Sequence, residues 1–286
     1  MTEIAVLGAG LMGHGIALTM ARKGHLVTIT DPIEAARSAL PERVGASMTA
    51  MGCAGTEIAR TLAHITVCDT LAQTVAKADL VFEAAPEKLD LKRALFAEVE
   101  THAPAHAILA SNTSVMPITQ IMQGLKDRSR ALGTHWWNPA HMIPLVEVIA
   151  TQWTDPAHMQ TVCALLQEAG KTPVKLARDV PGFIGNRLQH ALWREAISLV
   201  ENGICDAEGV DMVVKSSFGR RLAVLGPLEN ADLVGTDLTL DIHNTVLADL
   251  DRRAGPSPYL KSLVAQGRRG MKSGQGFRDW TPETAD

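Results

Sequence analysis

A glycine-rich segment close to the start of the chain constrains the fold more than any other feature. The pattern Gly-x-Gly-x-x-Gly at residues 8–13 follows an apolar run over residues 4–7 and opens a helical pattern over residues 11–23. The first glycine permits a tight turn, and the second lets the backbone approach a pyrophosphate at the helix N-terminus. The spacing therefore predicts a βαβ unit that binds a dinucleotide. The expected contacts to that dinucleotide are Gly8, Gly10, Leu11, Met12 and Gly13.

Short apolar runs alternate with helical patterns over the first 180 residues. The further strand candidates are residues 26–30, 65–67, 80–82, 107–110, 146–149 and 174–177, and the further helical patterns are residues 70–77, 87–102 and 155–169. Alternation of this kind requires crossover connections, which produce a parallel sheet covered by helices. We therefore predict an α/β, Rossmann-type domain with a mainly parallel sheet over residues 1–180.

The pattern changes at Pro181-Gly182. Helical patterns then cover residues 184–202, 207–217 and 237–250, and the dipeptides Gly226-Pro227 and Gly255-Pro256 are expected to break them. We expect a smaller all-α domain over residues 181–286, which is a normal size for a domain.

Asp31 ends the second predicted strand, 18 residues after Gly13. A carboxylate at this place accepts hydrogen bonds from the adenosine ribose hydroxyls and repels a 2′-phosphate. The sequence therefore predicts NAD, rather than NADP, as the cofactor.

His135 stands at the end of an apolar stretch, just before Asn138-Pro139, and Glu147 lies inside the apolar run 145–149. A histidine at the carboxyl end of a parallel strand faces the crevice where ligands bind. A carboxylate in an apolar strand is costly to bury without a partner, and an imidazole is a suitable one. Either residue alone would be typical of a structural role. Together they favour a general base oriented by a carboxylate, so we predict His135 as the catalytic base.

A cluster of short polar side chains, Ser-Asn-Thr-Ser, occupies residues 111–114 after a predicted strand. Such side chains fit ligand contacts at the carboxyl edge of a sheet and fit ordinary capping chemistry equally well. On the first interpretation, Asn112 is expected to contact the cofactor.

Charge and cysteine content argue against several classes of function. The formal net charge is −4 and no basic stripe is present, so we expect no nucleic-acid partner and no anionic membrane surface. The four cysteines lie far apart without a Cys-x-x-Cys pair, which argues against a zinc site and a disulfide framework. We find no run of 18 apolar residues and no basic segment before an apolar run at the N-terminus. A cytoplasmic protein that acts on a small molecule, without a metal, is the expectation.

These motifs resemble those of the short-chain L-3-hydroxyacyl-CoA dehydrogenase family, over nearly the whole chain. Beside the glycine-rich start, that family has Glu-Ala-x-x-Glu, Ser-Asn-Thr-Ser, His-x-x-Asn-Pro, Leu-Val-Glu-Val and Pro-Gly-Phe-x-x-Asn-Arg. This chain has them at residues 83–87, 111–114, 135–139, 145–148 and 181–187. The resemblance implies an NAD-dependent dehydrogenase that oxidises a hydroxyl group, and a homodimer formed through the helical domain.

The resemblance also implies roles for individual residues. His135 would remove the proton of the substrate hydroxyl, with Glu147 as its orienting partner. Ser114 and Asn186 would hydrogen-bond to the reacting oxygen. The implied cofactor contacts are Glu87 and Lys92 near the nicotinamide ribose and Asp31 at the adenosine ribose.

Two departures from the family favour a free acid over a CoA thioester as the substrate. Members that bind CoA have a lysine-rich segment after the second strand, whereas residues 38–80 here contain three basic and four acidic side chains, a poor match for the phosphates of CoA. Arg221 lies where the lambda-crystallin (L-gulonate 3-dehydrogenase) and L-carnitine dehydrogenase types have an arginine, although a solvated arginine is equally compatible with the pattern. Trp136 and Trp137 resemble a pair in a dehydrogenase of pyridine-carboxylate breakdown and suggest a flat wall for the substrate.

Three alternatives remain open. The first is an L-3-hydroxyacyl-CoA dehydrogenase that acts on the thioester. A lysine-dependent β-hydroxyacid dehydrogenase would need a catalytic lysine where this chain has Asn186-Arg187. A non-catalytic, crystallin-like NAD-binding protein should have lost its catalytic positions, yet Ser114, His135 and Glu147 are all present.

Overall fold

An eight-stranded sheet forms the centre of residues 1–187 in the computed structural model, which describes residues 1–281. The strands are β1 (Glu3–Leu7), β2 (Leu26–Thr30), β3 (Ile65–Val67), β4 (Leu80–Glu83), β5 (Ile108–Ser111), β6 (Ala131–Trp136), β7 (Leu145–Ala150) and β8 (Thr172–Leu176). Their order in the sheet is β3-β2-β1-β4-β5-β6-β7-β8. All neighbours are parallel except β6 and β7, which are antiparallel. The predicted Rossmann-type α/β fold is confirmed.

The strands are apolar along their length because both faces of the sheet are covered. In β1, Ile4 and Val6 belong to one core cluster, whereas Ala5 and Leu7 belong to the other. Successive side chains of a strand point to opposite faces, so a strand buried on both sides reads as a continuous apolar run.

Helices cover the sheet on each face. They are α1 (Leu11–Arg22), α2 (Glu34–Ser38), α3 (Leu40–Ala50), α4 (Gly55–Leu62), α5 (Leu71–Val75), α6 (Leu89–His102), α7 (Ile118–Met122) and α8 (Pro156–Glu168). Helices α1, α3 and α8 contribute to the first core cluster, and α5, α6 and α7 contribute to the second. The domain therefore has three layers, helix–sheet–helix.

Helices make up the C-terminal unit, which starts at residue 188. They are α9 (Gly185–Glu201, whose first residues belong to the first unit), α10 (Ala207–Ser216), α11 (Pro227–Val234), α12 (Thr236–Val246) and α13 (Pro258–Ala265). Through residue 281, β-structure in this unit is limited to isolated bridges at residues 270–279. The predicted all-α domain is confirmed, although residues 282–286 lie outside the described residues.

The dipeptide Gly226-Pro227 separates two helices, as the sequence predicts, and begins one that it does not predict. Helix α10 ends at Ser216, and Pro227 is the first residue of α11 with Gly226 as its N-cap. Proline is well suited to the first position of a helix, where its missing N–H has no partner to lose. No helix within residues 1–281 is long and apolar enough to cross a membrane.

Candidate active site

The glycine-rich turn between β1 and α1 has the shape that a dinucleotide requires. Gly8 has a positive φ of 107°, and a Cβ there would lie 2.8 Å from the carbonyl oxygen of Ala84. A Cβ on Gly13 would lie 1.8 Å from the carbonyl oxygen of Gly8, so the turn and the helix pack too closely for a side chain. A Cβ on Gly10 would meet nothing within 4 Å. Gly10 is the N-cap of α1, so no side chain of the N-cap residue covers the first N–H groups of the helix. The open backbone N–H groups at this helix start fit the pyrophosphate of NAD.

Asp31 lies next to this turn, directly after β2. One of its carboxylate oxygens accepts a hydrogen bond from the Ala9 N–H at 2.8 Å, and the other accepts one from the Ile33 N–H at 2.9 Å. The carboxylate is thereby fixed beside the glycine-rich turn. This position fits the predicted contact to the adenosine ribose.

His135 and Glu147 stand opposite each other in the antiparallel pair β6–β7. The imidazole Nδ1 lies 2.7 Å from Glu147 Oε2, and both side chains are buried. Opposed residues in an antiparallel pair have their side chains on the same face, which explains the contact. A carboxylate can only accept a hydrogen bond, so Nδ1 is the donor in this contact, and in the neutral imidazole Nε2 is then the nitrogen with the free lone pair.

The other oxygen of Glu147 is bonded to the backbone that leads into α9. Glu147 Oε1 accepts hydrogen bonds from the N–H groups of Ile184 at 2.8 Å and Gly185 at 3.0 Å. Burial alone would raise the pKa of Glu147, but the bonds from His135 and these two N–H groups outweigh burial and lower the pKa. Glu147 is therefore a carboxylate at neutral pH, as an orienting partner must be.

Two aromatic rings enclose His135. The ring centroid of Trp137 lies 5.1 Å from that of His135, and the ring of Phe183 lies 5.5 Å away. Phe183 is buried and has a positive φ of 51°, which is uncommon for a residue with a side chain. A Cβ on Gly185 would lie 2.4 Å from Trp137, so the start of α9 packs directly on the indole.

The structure corrects the assignment of Trp136 to the substrate wall. Trp136 is only 2% exposed and packs edge-on against Phe82 in the core cluster that includes α1. Side chains alternate along a strand, so the neighbour of His135 in β6 points to the opposite face of the sheet. Trp137 alone of the pair lies beside the histidine.

Ser114 and Asn186 are brought together. Asn186 Nδ2 donates a hydrogen bond to the backbone carbonyl oxygen of Ser114 at 2.8 Å. The Ser114 N–H in turn donates to Glu87 Oε1 at 2.5 Å, and the Thr113 hydroxyl donates to the same carboxylate. Glu87, which the resemblance places at the nicotinamide ribose, thus holds the 113–114 loop in this structure.

Lys92 lies deeper than its predicted role suggests. It is 1% exposed, and its Nζ lies 2.6 Å from Glu83 Oε1 and 3.6 Å from Glu87 Oε2. The second oxygen of Glu83 accepts a hydrogen bond from the Ser111 hydroxyl at 2.5 Å. Lys92 therefore joins the buried carboxylate of Glu83 to the more exposed carboxylate of Glu87. A contact between Lys92 and the cofactor stays a prediction.

The remaining predicted site residues have the following positions. Asn112 is buried, and its Oδ1 accepts a hydrogen bond from the Trp136 N–H at 2.9 Å, so the amide connects the end of β5 to β6. Arg221 belongs to the C-terminal unit, follows a short 3-10 helix at Phe218–Arg220 and is exposed. Their contacts to cofactor and substrate also stay predictions.

Sequence reasoning assigned no role to three residues of this region. Phe183 touches the imidazole, Glu83 neutralises Lys92, and Thr113 binds Glu87. Phe183 and Glu83 lie in motifs that were recognised, but their contacts depend on how separate elements pack. Thr113 has a local signal, because hydroxyl residues after a strand commonly bond to a neighbouring carboxylate or backbone group.

Comparison with family models gives one match for each part of the chain. Residues 3–180 match the 3-hydroxyacyl-CoA dehydrogenase NAD-binding domain, and residues 182–280 match the C-terminal domain of the same family.

Individual relatives cover most of the chain. A 5-formyl-3-hydroxy-2-methylpyridine 4-carboxylate 5-dehydrogenase of Mesorhizobium japonicum is 34% identical over 98% of this chain and 91% of its own length. An L-carnitine dehydrogenase of Streptomyces coelicolor is 38% identical over 82% of this chain and 73% of its own. A probable 3-hydroxybutyryl-CoA dehydrogenase of Bacillus subtilis is 35% identical over 99% of both chains.

Among solved structures, the pyridine-carboxylate dehydrogenase superposes with a TM-score of 0.90, at 34% identity, over 99% of this chain and 92% of that chain. That enzyme is described as an NAD⁺-dependent dismutase.

Proposed function

Because the chain belongs to the 3-hydroxyacyl-CoA dehydrogenase family, as an NAD-dependent dehydrogenase that acts on CH–OH groups, we propose that it oxidises the hydroxyl of a small 3-hydroxy carboxylate to a ketone. His135 is the general base in this proposal. The observation that carries it is the buried contact of 2.7 Å between His135 Nδ1 and Glu147. This contact fixes the orientation of the ring and leaves Nε2 as the nitrogen that can take a proton.

The residues around His135 have distinct roles in the proposed reaction. Nε2 accepts the proton of the substrate hydroxyl, and the Glu147 carboxylate stabilises the imidazolium that results. Ser114 and Asn186 bind the reacting oxygen, and the Trp137 and Phe183 rings limit the access of water to the imidazole. The glycine-rich turn would hold NAD, which would supply the hydride acceptor for the substrate carbon.

A free acid is favoured over a CoA thioester on charge. Residues 38–80 carry three basic and four acidic side chains, so this segment has no net positive charge to attract CoA, which carries three phosphates. Two of the relatives are named for substrates without CoA, whereas the Bacillus subtilis relative is named for a CoA thioester. Arg221 is exposed, and none of the ion pairs found within residues 1–281 includes it, so its guanidinium is available to a carboxylate.

The experiment that tests this proposal measures NADH production across free 3-hydroxy acids and their CoA thioesters. We expect turnover of at least one free acid and weak or no turnover of L-3-hydroxybutyryl-CoA. Arg221→Met should raise KM for the free acid by about tenfold or more, because a charge-assisted hydrogen bond contributes roughly 1.5–3 kcal/mol.

Arg220→Met is the matched control, because Arg220 is the neighbouring arginine and is also exposed. It should leave KM for the free acid unchanged, and neither variant should alter the affinity for NAD. Good turnover of the thioester that does not respond to Arg221→Met would assign the protein to the acyl-CoA type instead.

A homodimer formed through the C-terminal unit is the assembly we infer. Between residues 188 and 281 only four residues are buried, namely Ser198, Ser257, Leu263 and Gly276. Large apolar side chains are exposed in the same unit, including Val224 at 87% and Leu228 at 80%. A second copy of the unit would cover such a surface.

We also propose that the boundary between the two domains lies between residues 180 and 181. The proposed location is the cytoplasm, and the four free cysteines are consistent with its reducing conditions.

A further inference from the structure

Two side chains of opposite charge bind the same residue of the glycine-rich turn. The Ala9 N–H donates to Asp31 Oδ2 at 2.8 Å, and Arg43 Nη1 donates to the Ala9 carbonyl oxygen at 2.6 Å. Ala9 lies between Gly8 and Gly10, the two glycines that shape the turn. A carboxylate and a guanidinium therefore flank the place where the adenosine half of the dinucleotide is expected.

Helix α3 determines where Arg43 lies. Leu40, Val44 and Met48 are fully buried at a spacing of four residues, so one face of α3 packs on the core. Arg43 precedes Val44 and is half-buried, and its guanidinium reaches the turn between β1 and α1. The arginine is thus held by the packing of its own helix.

The charge of Arg43 has no partner within the described chain. None of the ion pairs found within residues 1–281 includes Arg43, and both oxygens of Asp31 accept backbone N–H groups instead. Arg37, the other arginine of this region, donates to the Asp31 backbone oxygen at 2.7 Å and lies 3.6 Å from Asp69. A guanidinium has five N–H donors, and only one of those of Arg43 is used in a hydrogen bond found here.

We propose that Arg43 is a cofactor-binding residue that attracts the phosphates of the dinucleotide and, together with Asp31, sets the preference for NAD over NADP. The two side chains act with opposite sign on the 2′ position. Asp31 disfavours a 2′-phosphate by repulsion, and Arg43 favours it by attraction. The preference for NAD is then the difference between the two effects, and removal of either charge changes it in a predictable direction.

The test measures binding of NAD, NADP and ADP-ribose by titration calorimetry, with no substrate present. Arg43→Met should lower the affinities for NAD and ADP-ribose several-fold. It should lower the affinity for NADP by about tenfold more than the affinity for NAD, because the 2′-phosphate loses a charge-assisted hydrogen bond. Asp31→Asn should instead strengthen NADP relative to NAD by about tenfold. Asp31→Asn should also raise the affinity for NADP into a measurable range. The effect of Arg43→Met on NADP binding can then be measured by comparing the Asp31→Asn variant with the double variant.

Two further variants separate recognition from support of the turn. Arg22→Met is the matched control, since Arg22 is paired with Glu57 at 2.7 Å, and it should leave all three affinities unchanged. Arg43→Lys retains the charge and should restore part of the NADP affinity, even if Arg43→Met is poorly folded. An equal loss of NAD and NADP in Arg43→Met, with no change in their ratio in either background, would overturn the proposal and leave Arg43 as a support of the turn alone.

Discussion

Each oxygen of the Glu147 carboxylate has its own donors, so this one side chain supplies the negative charge beside His135 and also fixes the geometry around it. Oε2 is bonded to His135, while Oε1 is bonded to two backbone N–H groups at the start of α9. These bonds lower the pKa of Glu147, so its ionised form is retained until well into the acid range. A glutamine at this position removes the charge and replaces one of the two acceptor oxygens with an NH₂ group, which cannot accept a hydrogen bond from the donor that faced that oxygen.

We therefore expect His135→Gln and Glu147→Gln both to lower kcat, the histidine change by more. Loss of a general base typically lowers the rate by about 10²–10⁴-fold. Glu147→Gln should lose less, because the imidazole itself is retained, although the imidazolium loses its carboxylate partner and the ring its fixed orientation. The affinity for NAD, measured by fluorescence titration, should be retained in both variants, since neither residue belongs to the glycine-rich turn. A His135→Gln variant with unaltered turnover would refute the assignment of the base.

At the scale of elements, the parts that depend on local pattern could be predicted and the parts that depend on packing could not. The strands could be predicted from the sequence because burial on both faces makes each one a short apolar run. The contact of His135 with Glu147 was predictable from the cost of a buried carboxylate. The position of Trp136 was not, because the sequence does not state which face of β6 points to the crevice. The pair Lys92–Glu83 joins α6 to β4 and depends on their packing alone.

A buried lysine, Lys171, lies directly before β8, and its charge affects stability. Lys171 Nζ donates to the carbonyl oxygens of Ala140 at 2.6 Å and Ile143 at 2.9 Å, and thereby ties down the segment after His135. Burial lowers the pKa of Lys171 from 10.5 to about 8. Below pH 8 both the folded and the unfolded chain hold the proton, so the full penalty of the buried charge is present. Between pH 8 and 10.5 the unfolded chain binds more protons, so the free energy of unfolding rises with pH.

We expect this lysine to contribute a rise of about 3 kcal/mol in the free energy of unfolding from below pH 8 to above pH 10.5. Urea unfolding over this range, compared between the unmodified chain and Lys171→Met, isolates the contribution. The difference between the two should change with pH by that amount. Lys175→Met is the control, because Lys175 is exposed, lies four residues further along in β8 and should not alter the pH dependence. If the free energies of unfolding of Lys171→Met and the unmodified chain differed by the same amount at every pH, Lys171 would not be titrating in this range.

At the scale of the whole molecule, the two units differ in how well they cover their apolar side chains. The unit of residues 1–187 has two extensive buried clusters, one on each face of its sheet. The C-terminal unit exposes Leu228 and Leu233 of α11 and Leu240 of α12, by 80%, 73% and 60%. A helical unit of this size with so small a buried core is expected to gain its stability from association.

The last prediction concerns that association. Light scattering coupled to size-exclusion chromatography should give about 61 kDa, twice the chain mass of 30.6 kDa. Leu228→Asp and Leu240→Asp should shift the mass toward that of the monomer. In a two-fold symmetric interface each change occurs twice, and loss of a buried leucine contributes about 1.5–3 kcal/mol per copy, so the dimer Kd should rise by roughly 100-fold or more. Met142→Asp in the first unit, where Met142 is 62% exposed, is the matched control and should leave the mass unchanged. Circular dichroism of each variant verifies that the helices are retained. A monomeric mass for the unmodified chain at every concentration would contradict the dimer, and an unchanged mass for both leucine variants would place its interface away from α11 and α12.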